Sequence, residues 1–136
     1  MSFSAHGDAS MTHKEMISTA TQIAFEHVSG GRVRTIAMFT DKRSNVLCVA
    51  GNTYVKTHPQ QARWAERRGS PDKQCLHAEI RAAIMLAKMG KASKAKYLYI
   101  AAVSEAGNVL LAKPCAVCQM MLETDFPDIE VFYTGE

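Results

Sequence analysis

Two short motifs, each at the start of a predicted helix, constrain this 136-residue sequence most strongly. The first is a His-x-Glu motif at residues 77–79, and the second is a Pro-Cys-x-x-Cys motif at residues 114–118. Residues three apart on a helix share a face, so the thiols of Cys115 and Cys118 are expected to point the same way. Two thiolates and the imidazole of His77 are a suitable ligand set for zinc, and a helix N-terminus favours the thiolate form. The pattern therefore indicates a metal site.

A catalytic zinc site also needs a base, and Glu79 is the candidate. Three protein ligands leave one tetrahedral position for water, which distinguishes a catalytic zinc from a structural one. On an ideal helix, positions i and i+2 lie about 200° apart. His77 and Glu79 can therefore approach one metal only if His77 precedes the first regular turn of its helix.

The other two cysteines allow simpler interpretations. Cys75 lies two residues before His77 and is an alternative fourth ligand that would close the site, although a buried free thiol also explains it. Cys48 lies in an apolar strand and is predicted to be a buried thiol. A Cys-x-x-Cys pair in a reducing compartment favours metal or redox chemistry over a structural bridge.

The pattern of apolar residues predicts one α/β domain over residues 1–136, with about ten flexible residues at the N-terminus. Thr12 and Glu15 fit a capping box at the start of the first helix, and Gly30-Gly31 is expected to end it. The alternation of elements favours helices on both faces of one sheet. The elements expected after the first helix are strands at 33–39 and 46–50, a helix from His77 to Gly90, strands at 96–103 and 109–112, a helix at 115–124 and a strand at 129–133.

The composition is that of a globular intracellular protein. Hydrophobic residues make up 47% of the chain and charged residues 21%, with a net charge of +3. No apolar run reaches the roughly 18 residues that a membrane span needs, and the N-terminus lacks a signal-peptide pattern. We therefore expect a cytoplasmic location and no membrane partner. Residues 88–96 hold four lysines and no acid, which hints at an anionic ligand, although solvated surface is the simpler interpretation.

The two motifs together resemble the zinc-dependent cytidine and deoxycytidylate deaminase superfamily, whose signature is H-x-E…P-C-x-x-C. The resemblance covers roughly residues 33–133. It implies a three-layer α/β/α cytidine-deaminase-like fold with a central mixed sheet. It also implies that His77, Cys115 and Cys118 hold Zn²⁺, and that Glu79 carries protons from water to the base ring and to the leaving ammonia.

The resemblance extends to substrate contacts and assembly. Asn52 follows the second strand, where relatives place an Asn that holds the sugar, and the backbone N–H groups of Ala78 and Cys115 would orient the base. Small relatives form dimers or tetramers, so a homo-oligomer is expected. Lys56 and His58 lie in a basic segment between Asn52 and the zinc helix, where a phosphate contact is predicted.

The substrate class is not fixed by the motifs. His as the first ligand is similar to the deoxycytidylate, tRNA-adenosine and polynucleotide-editing branches, whereas the short chain and Gln119 are similar to the free-nucleoside enzymes. We expect hydrolytic deamination of a cytosine nucleoside or nucleotide (cytidine, deoxycytidine or dCMP) to the uracil product with release of ammonia. One alternative is action on cytosine or adenine in single-stranded nucleic acid. Another is a non-enzymatic zinc-containing nucleotide-binding module, against which the intact Glu79 argues.

Overall fold

The structure, a computed structural model, describes residues 11–27, 33–52 and 77–135. Three helices, five strands and one 3₁₀ turn lie within these ranges, and the helices and strands follow the order that the sequence predicts. The helices are α1 (His13–Glu26), α2 (Ala78–Lys88) and α3 (Ala116–Asp125), and the 3₁₀ turn (Ala92–Lys94) follows α2. The strands are β1 (Arg34–Thr40), β2 (Val46–Gly51), β3 (Tyr97–Val103), β4 (Val109–Leu110) and β5 (Glu130–Tyr133).

Strand β3 organises the sheet because it pairs with three other strands. It runs antiparallel to β1, with Ala37 opposite Ile100, and β1 pairs in turn with β2 as an antiparallel hairpin. Along its other edge, β3 pairs antiparallel with β4 at Ala102 and Val103, and parallel with β5 from Tyr97 to Ile100. The sheet is therefore mixed, as expected.

Helix α1 covers one face of this sheet. The capping box is present: the side chain of Thr12 accepts a hydrogen bond from the backbone N–H of Glu15, and the Glu15 carboxylate accepts one from the N–H of Thr12. The helix ends at Glu26, earlier than the expected stop at Gly30-Gly31, because His27 takes an extended conformation. The residues packed between α1 and the sheet are Met16, Ala20, Ala24, Ile36, Met38, Tyr99, Ala101 and Val103.

Helices α2 and α3 cover the opposite face, which completes the three-layer α/β/α arrangement predicted from the sequence. The alternate strand residues, which face away from α1 and include Phe39 and Ile100, pack there against Leu86 and Met121. Cys48 is buried in this layer and its thiol donates a hydrogen bond to the carbonyl of Ala82, as expected for a structural thiol.

Strand β4 is shorter than expected. The sequence predicts a return strand to Ala112, but pairing with β3 stops at Leu110. Beyond that point, the backbone N–H of Ala112 donates to the carbonyl of Thr134, so the segment pairs with the chain after β5 instead. A Cβ on Gly135 would clash with the Cα of Leu111, which shows how closely these two segments cross. None of the helices in the described ranges combines the length and apolar character needed to cross a membrane.

Candidate metal centre and active site

His77 lies immediately before the first turn of α2, in the position that a shared site with Glu79 requires. It is the N-cap residue, with an extended backbone (φ −76°, ψ 151°). The imidazole therefore leaves the chain before helical geometry begins, while Glu79 stands in the first turn. The 200° separation of an ideal helix does not apply to this pair, and His77 meets the condition for sharing a site with Glu79.

The two cysteines occupy the equivalent place on α3. Cys115 is the N-cap residue, with an extended backbone, and Cys118 lies in the first turn, where it is fully buried. The side-chain amide of Gln119 donates a hydrogen bond of 2.9 Å to the carbonyl of Pro114. This bond fixes the chain as it enters the helix. The starts of α2 and α3 thus meet, and the ligand atoms of His77, Cys115 and Cys118 all lie within 4.8 Å of one another.

The spacing of these atoms fits a zinc ion. The Nδ1 atom of His77 lies 3.5 Å from the sulfur of Cys115 and 3.4 Å from that of Cys118. A tetrahedral zinc with Zn–N near 2.0–2.1 Å and Zn–S near 2.3 Å places nitrogen and sulfur about 3.6 Å apart. One imidazole and two thiolates are also the borderline-soft donors that zinc prefers. Both the distances and the donor chemistry therefore match.

The electrostatics of the two thiols also favour a cation. The hydrogen bond with Cys118 lowers the pKa of Cys115 to about 3, and the neighbouring His77 acts in the same direction. The same contact with Cys115, together with burial, raises the pKa of Cys118 well above its ordinary value. The pair on its own thus favours one thiolate and one thiol, because two adjacent negative charges repel each other. A divalent cation offsets both charges and lets both sulfurs act as ligands.

Glu79 is a buried carboxyl beside this cluster, only 6% exposed. Burial raises its pKa above the ordinary value, and the negative charge of Cys115 adds to that effect. A carboxyl whose pKa moves towards neutrality can both accept and return a proton, as proton-transfer catalysis requires. Within the described residues, it is the acid closest to the metal ligands in sequence.

Asn52 lies at the end of β2, and its side chain is bound to β1. Its Oδ1 accepts a hydrogen bond of 3.0 Å from the backbone N–H of Thr35, and its Nδ2 donates one of 3.1 Å to the carbonyl of Val33. The side chain therefore closes the β1–β2 hairpin, and its predicted contact with a sugar stays a prediction. Ala78 is buried at the first position of α2, and the role of its N–H is likewise untested. Lys56, His58 and Cys75 lie outside the described residues.

The structure adds one residue that the sequence analysis does not identify. Arg81, one turn after His77, donates a hydrogen bond of 3.0 Å to the carbonyl of Gly51. It ties the metal-binding helix to the strand end that precedes Asn52. An arginine near the start of an otherwise largely apolar helix was the available signal.

The fold and the site together define a class: an α/β zinc enzyme with a His/Cys/Cys cluster and an adjacent buried carboxyl. The family model for the cytidine and deoxycytidylate deaminase zinc-binding region matches residues 10–132. The chain therefore belongs to the cytidine and deoxycytidylate deaminase family. It is a zinc-dependent hydrolase, a deaminase of cytidine-type substrates.

Solved structures share the fold at low sequence identity. A cytidine deaminase from Burkholderia pseudomallei is 17% identical, with a TM-score of 0.58 over 91% of this chain and 87% of that one. A point mutant of a cytidine deaminase from Mycobacterium tuberculosis is 20% identical, with a TM-score of 0.51 over 92% of this chain and 87% of that one. The comparison with curated proteins gives no match.

Proposed function

We propose that the chain hydrolyses the exocyclic amino group of a cytosine nucleoside or nucleotide, namely cytidine, deoxycytidine or dCMP, to give the uracil product and ammonia. One observation carries the proposal: the buried carboxyl of Glu79 lies beside the cluster of His77, Cys115 and Cys118. Glu79 and Cys118 are close enough to shift each other's pKa. A structural zinc site has no use for a base in that position.

Each residue has a role in this reaction. His77, Cys115 and Cys118 would hold a zinc ion, whose Lewis acidity would lower the pKa of water to near neutrality. Glu79 accepts the first proton of the attacking water and delivers it to the ring nitrogen N3. The C4–O bond forms as the water oxygen adds to C4. Glu79 then carries the second proton to the amino nitrogen, so that the C4–N bond breaks and ammonia leaves.

Substrate orientation falls to residues whose roles follow from the resemblance and, for Lys56 and His58, from the basic segment in which they lie. The backbone N–H of Ala78 would bind the base, since preorganised donors stabilise charge without reorganising during the reaction. Asn52 would bind the sugar with the hydrogen-bonding capacity that its contacts to β1 leave unused. Lys56 and His58 would bind a 5′-phosphate if the substrate is a nucleotide, since cationic side chains pair with phosphoryl oxygens.

We also propose that the protein assembles as a homo-oligomer through a groove between α2 and α3. The groove has a volume of about 410 Å³ and an apolar floor that includes Ile80, Ile84 and Met121. The residues of one rim are neighbours in sequence of Lys88 and Lys91, and Asp125 lines the other rim. A second copy related by a two-fold axis would bring the basic rim of one chain to the acidic rim of the other.

Light scattering tests the assembly. Ala87 is exposed in the groove, so Ala87→Glu should yield a monomer mass at micromolar concentration. The control Ser18→Glu, on the exposed side of α1, should keep the mass of the parent. A parent that is itself monomeric would contradict the proposal.

The activity is tested with zinc-loaded protein and a panel of cytidine, deoxycytidine, dCMP, adenosine and a short single-stranded oligonucleotide. Ammonia and the deaminated product should appear together for one or more cytosine monomers and not for adenosine. The phosphate contact would be supported if the parent turns over dCMP faster than deoxycytidine and if Lys56→Ala or His58→Ala abolishes this preference for dCMP. Turnover of the oligonucleotide alone would replace the monomer proposal with the nucleic-acid alternative.

A further inference from the structure

A basic cleft lies at the end of the sheet where β1 ends and β3 begins. Its volume is about 470 Å³. One wall is the β1–β2 turn and the other is the segment from the 3₁₀ turn to β3. The residues of the basic cleft are Asp41, Lys42, Arg43, Ser93, Lys94, Ala95 and Lys96.

Within the described residues, the positive charge of this cleft exceeds its negative charge. The carboxylate of Asp41 is occupied within its own turn, where it accepts hydrogen bonds from the backbone N–H groups of Arg43 and Asn45 and from the Asn45 side chain. Lys96 forms an ion pair of 3.3 Å with Glu130. Among the residues that the structure describes, no ion pair joins an acidic side chain to Lys42 or Lys94, whereas Arg43 interacts electrostatically with Asp41.

The backbone that carries these cations is held in place. The N–H of Lys96 donates to the carbonyl of Thr40 at 2.9 Å, which joins the two walls directly. In the turn, Ser44 takes a left-handed conformation with φ 68°, and its N–H donates to the carbonyl of Asp41. The cations therefore extend from two connected and hydrogen-bonded segments, so less ordering of the backbone accompanies binding.

The basic cleft is separate from the metal centre. Helix α2 starts at the metal ligands, and its far end leads into the 3₁₀ turn that forms one wall of the cleft. Eleven residues of helix at about 1.5 Å each place the two ends about 16 Å apart. A molecule in the cleft would therefore not contact a base at Glu79.

We propose that the basic cleft binds a compact ligand with two or more phosphoryl groups. Ammonium, guanidinium and hydroxyl groups supply the donors that phosphoryl oxygens accept, and two walls bring them to one centre. None of the described residues that line the cleft is aromatic, so the chemistry recognises phosphate and not a stacked base. The volume is within the range of small-molecule sites, about 300–1,000 Å³. The ligand is a free polyphosphate or the phosphate chain of a nucleotide, which share this chemistry.

Calorimetry of the zinc-loaded full chain with inorganic triphosphate tests the proposal, with zinc content measured before and after titration. We expect saturable binding, weakened about tenfold or more by Arg43→Ala and again by Lys94→Ala, as for a lost charged hydrogen bond. Lys113→Ala is the matched control. It removes the same charge beyond β4, which pairs with the opposite end of β3, and should change the affinity less than twofold.

Further results decide the source and class of the ligand or overturn the proposal. Tighter binding of a nucleoside triphosphate than of triphosphate would assign the nucleotide, and equal binding would assign free polyphosphate. Equal weakening by Lys113→Ala and the cleft variants, or no saturable binding, would overturn the proposal. Binding of a single-stranded oligonucleotide alone, with a salt slope that each cleft variant reduces by about one, would also overturn it in favour of a nucleic-acid surface. None of these readouts depends on deamination.

Discussion

The guanidinium of Arg81 donates a hydrogen bond of 3.0 Å to the carbonyl of Gly51, and this bond joins the start of the metal-binding helix to the end of β2. The backbone N–H of Arg81 also donates to the carbonyl of His77. A Cβ on Gly51 would clash with the ring of His27, so this ring lies directly against the strand end. Arg81 therefore sets the distance between the metal ligand and the strand end that precedes Asn52.

We expect Arg81→Met to lower kcat/KM by about tenfold while zinc content stays unchanged. Methionine keeps an unbranched stem but removes the donors, so the strand end and Glu79 lose their fixed separation, and small misplacements of reacting groups are costly. Steady-state kinetics and metal analysis provide the measurement. Lys14→Met, at an exposed position of α1, is the control and should behave like the parent. If Arg81→Met loses activity in proportion to its loss of zinc, the role of Arg81 is structural only.

Metal analysis should give about one zinc per chain after dialysis, and Cys118→Ala should abolish retention of the metal. The reason is that His77 and Cys115 alone offer two donors, too few for a tight site. Cys48→Ala is the matched control, because it also removes a buried thiol but one that bonds to Ala82 in the core. Full zinc content in Cys118→Ala would refute the ligand assignment.

Glu79→Gln should reduce kcat by about 10²–10⁴-fold or more, because the amide has nearly the shape of the carboxyl but cannot accept and return protons. Zinc content should remain about one per chain. Product formation is followed with the best cytosine substrate of the parent. A variant that retains activity within threefold of the parent would remove Glu79 from the mechanism.

The sequence predicts the metal centre well because its determinants are local. The start of a helix at each motif follows from motif spacing and helix geometry, although the expected helix begins at Cys115 and the observed one at Ala116. The predicted zinc cluster also requires the starts of α2 and α3 to lie close together. The alternation of strands and helices favours an arrangement of this kind, with helices packed on the sheet. The faces of the sheet follow from the two-residue period of β1 and β3.

The features that escape prediction are long-range hydrogen bonds. The side chain of Asn52 bonds to Thr35, 17 residues away, and Arg81 bonds to Gly51, 30 residues away. Both contacts depend on strand register and on where a helix crosses a strand, and neither leaves a periodic pattern in the sequence. The early end of β4 also results from a long-range hydrogen bond, because the backbone N–H of Ala112 donates to the carbonyl of Thr134 instead of pairing with β3.

Tyr99 gives the fold a dependence on alkaline pH. It is fully buried between α1 and the sheet, with its hydroxyl 2.7 Å from Nδ1 of His13. Burial raises its pKa to about 12, and the nearby Tyr97 and Glu130 act in the same direction because a phenolate would repel their negative charges. The fold thus favours the neutral phenol, whereas the unfolded chain loses that proton near pH 10.

The stabilisation from the neutral phenol is therefore complete below about pH 10 and is lost as the pH rises through about 12. Urea unfolding of the parent and of Tyr99→Phe, between about pH 8 and about pH 11.5, measures this loss. At the lower pH, the parent should be the more stable protein, because it has the bond to His13. The difference in the free energy of unfolding should narrow as the pH rises, since phenylalanine has no proton to lose. A difference that stays constant over this range would show that Tyr99 ionises alike in the folded and unfolded chains.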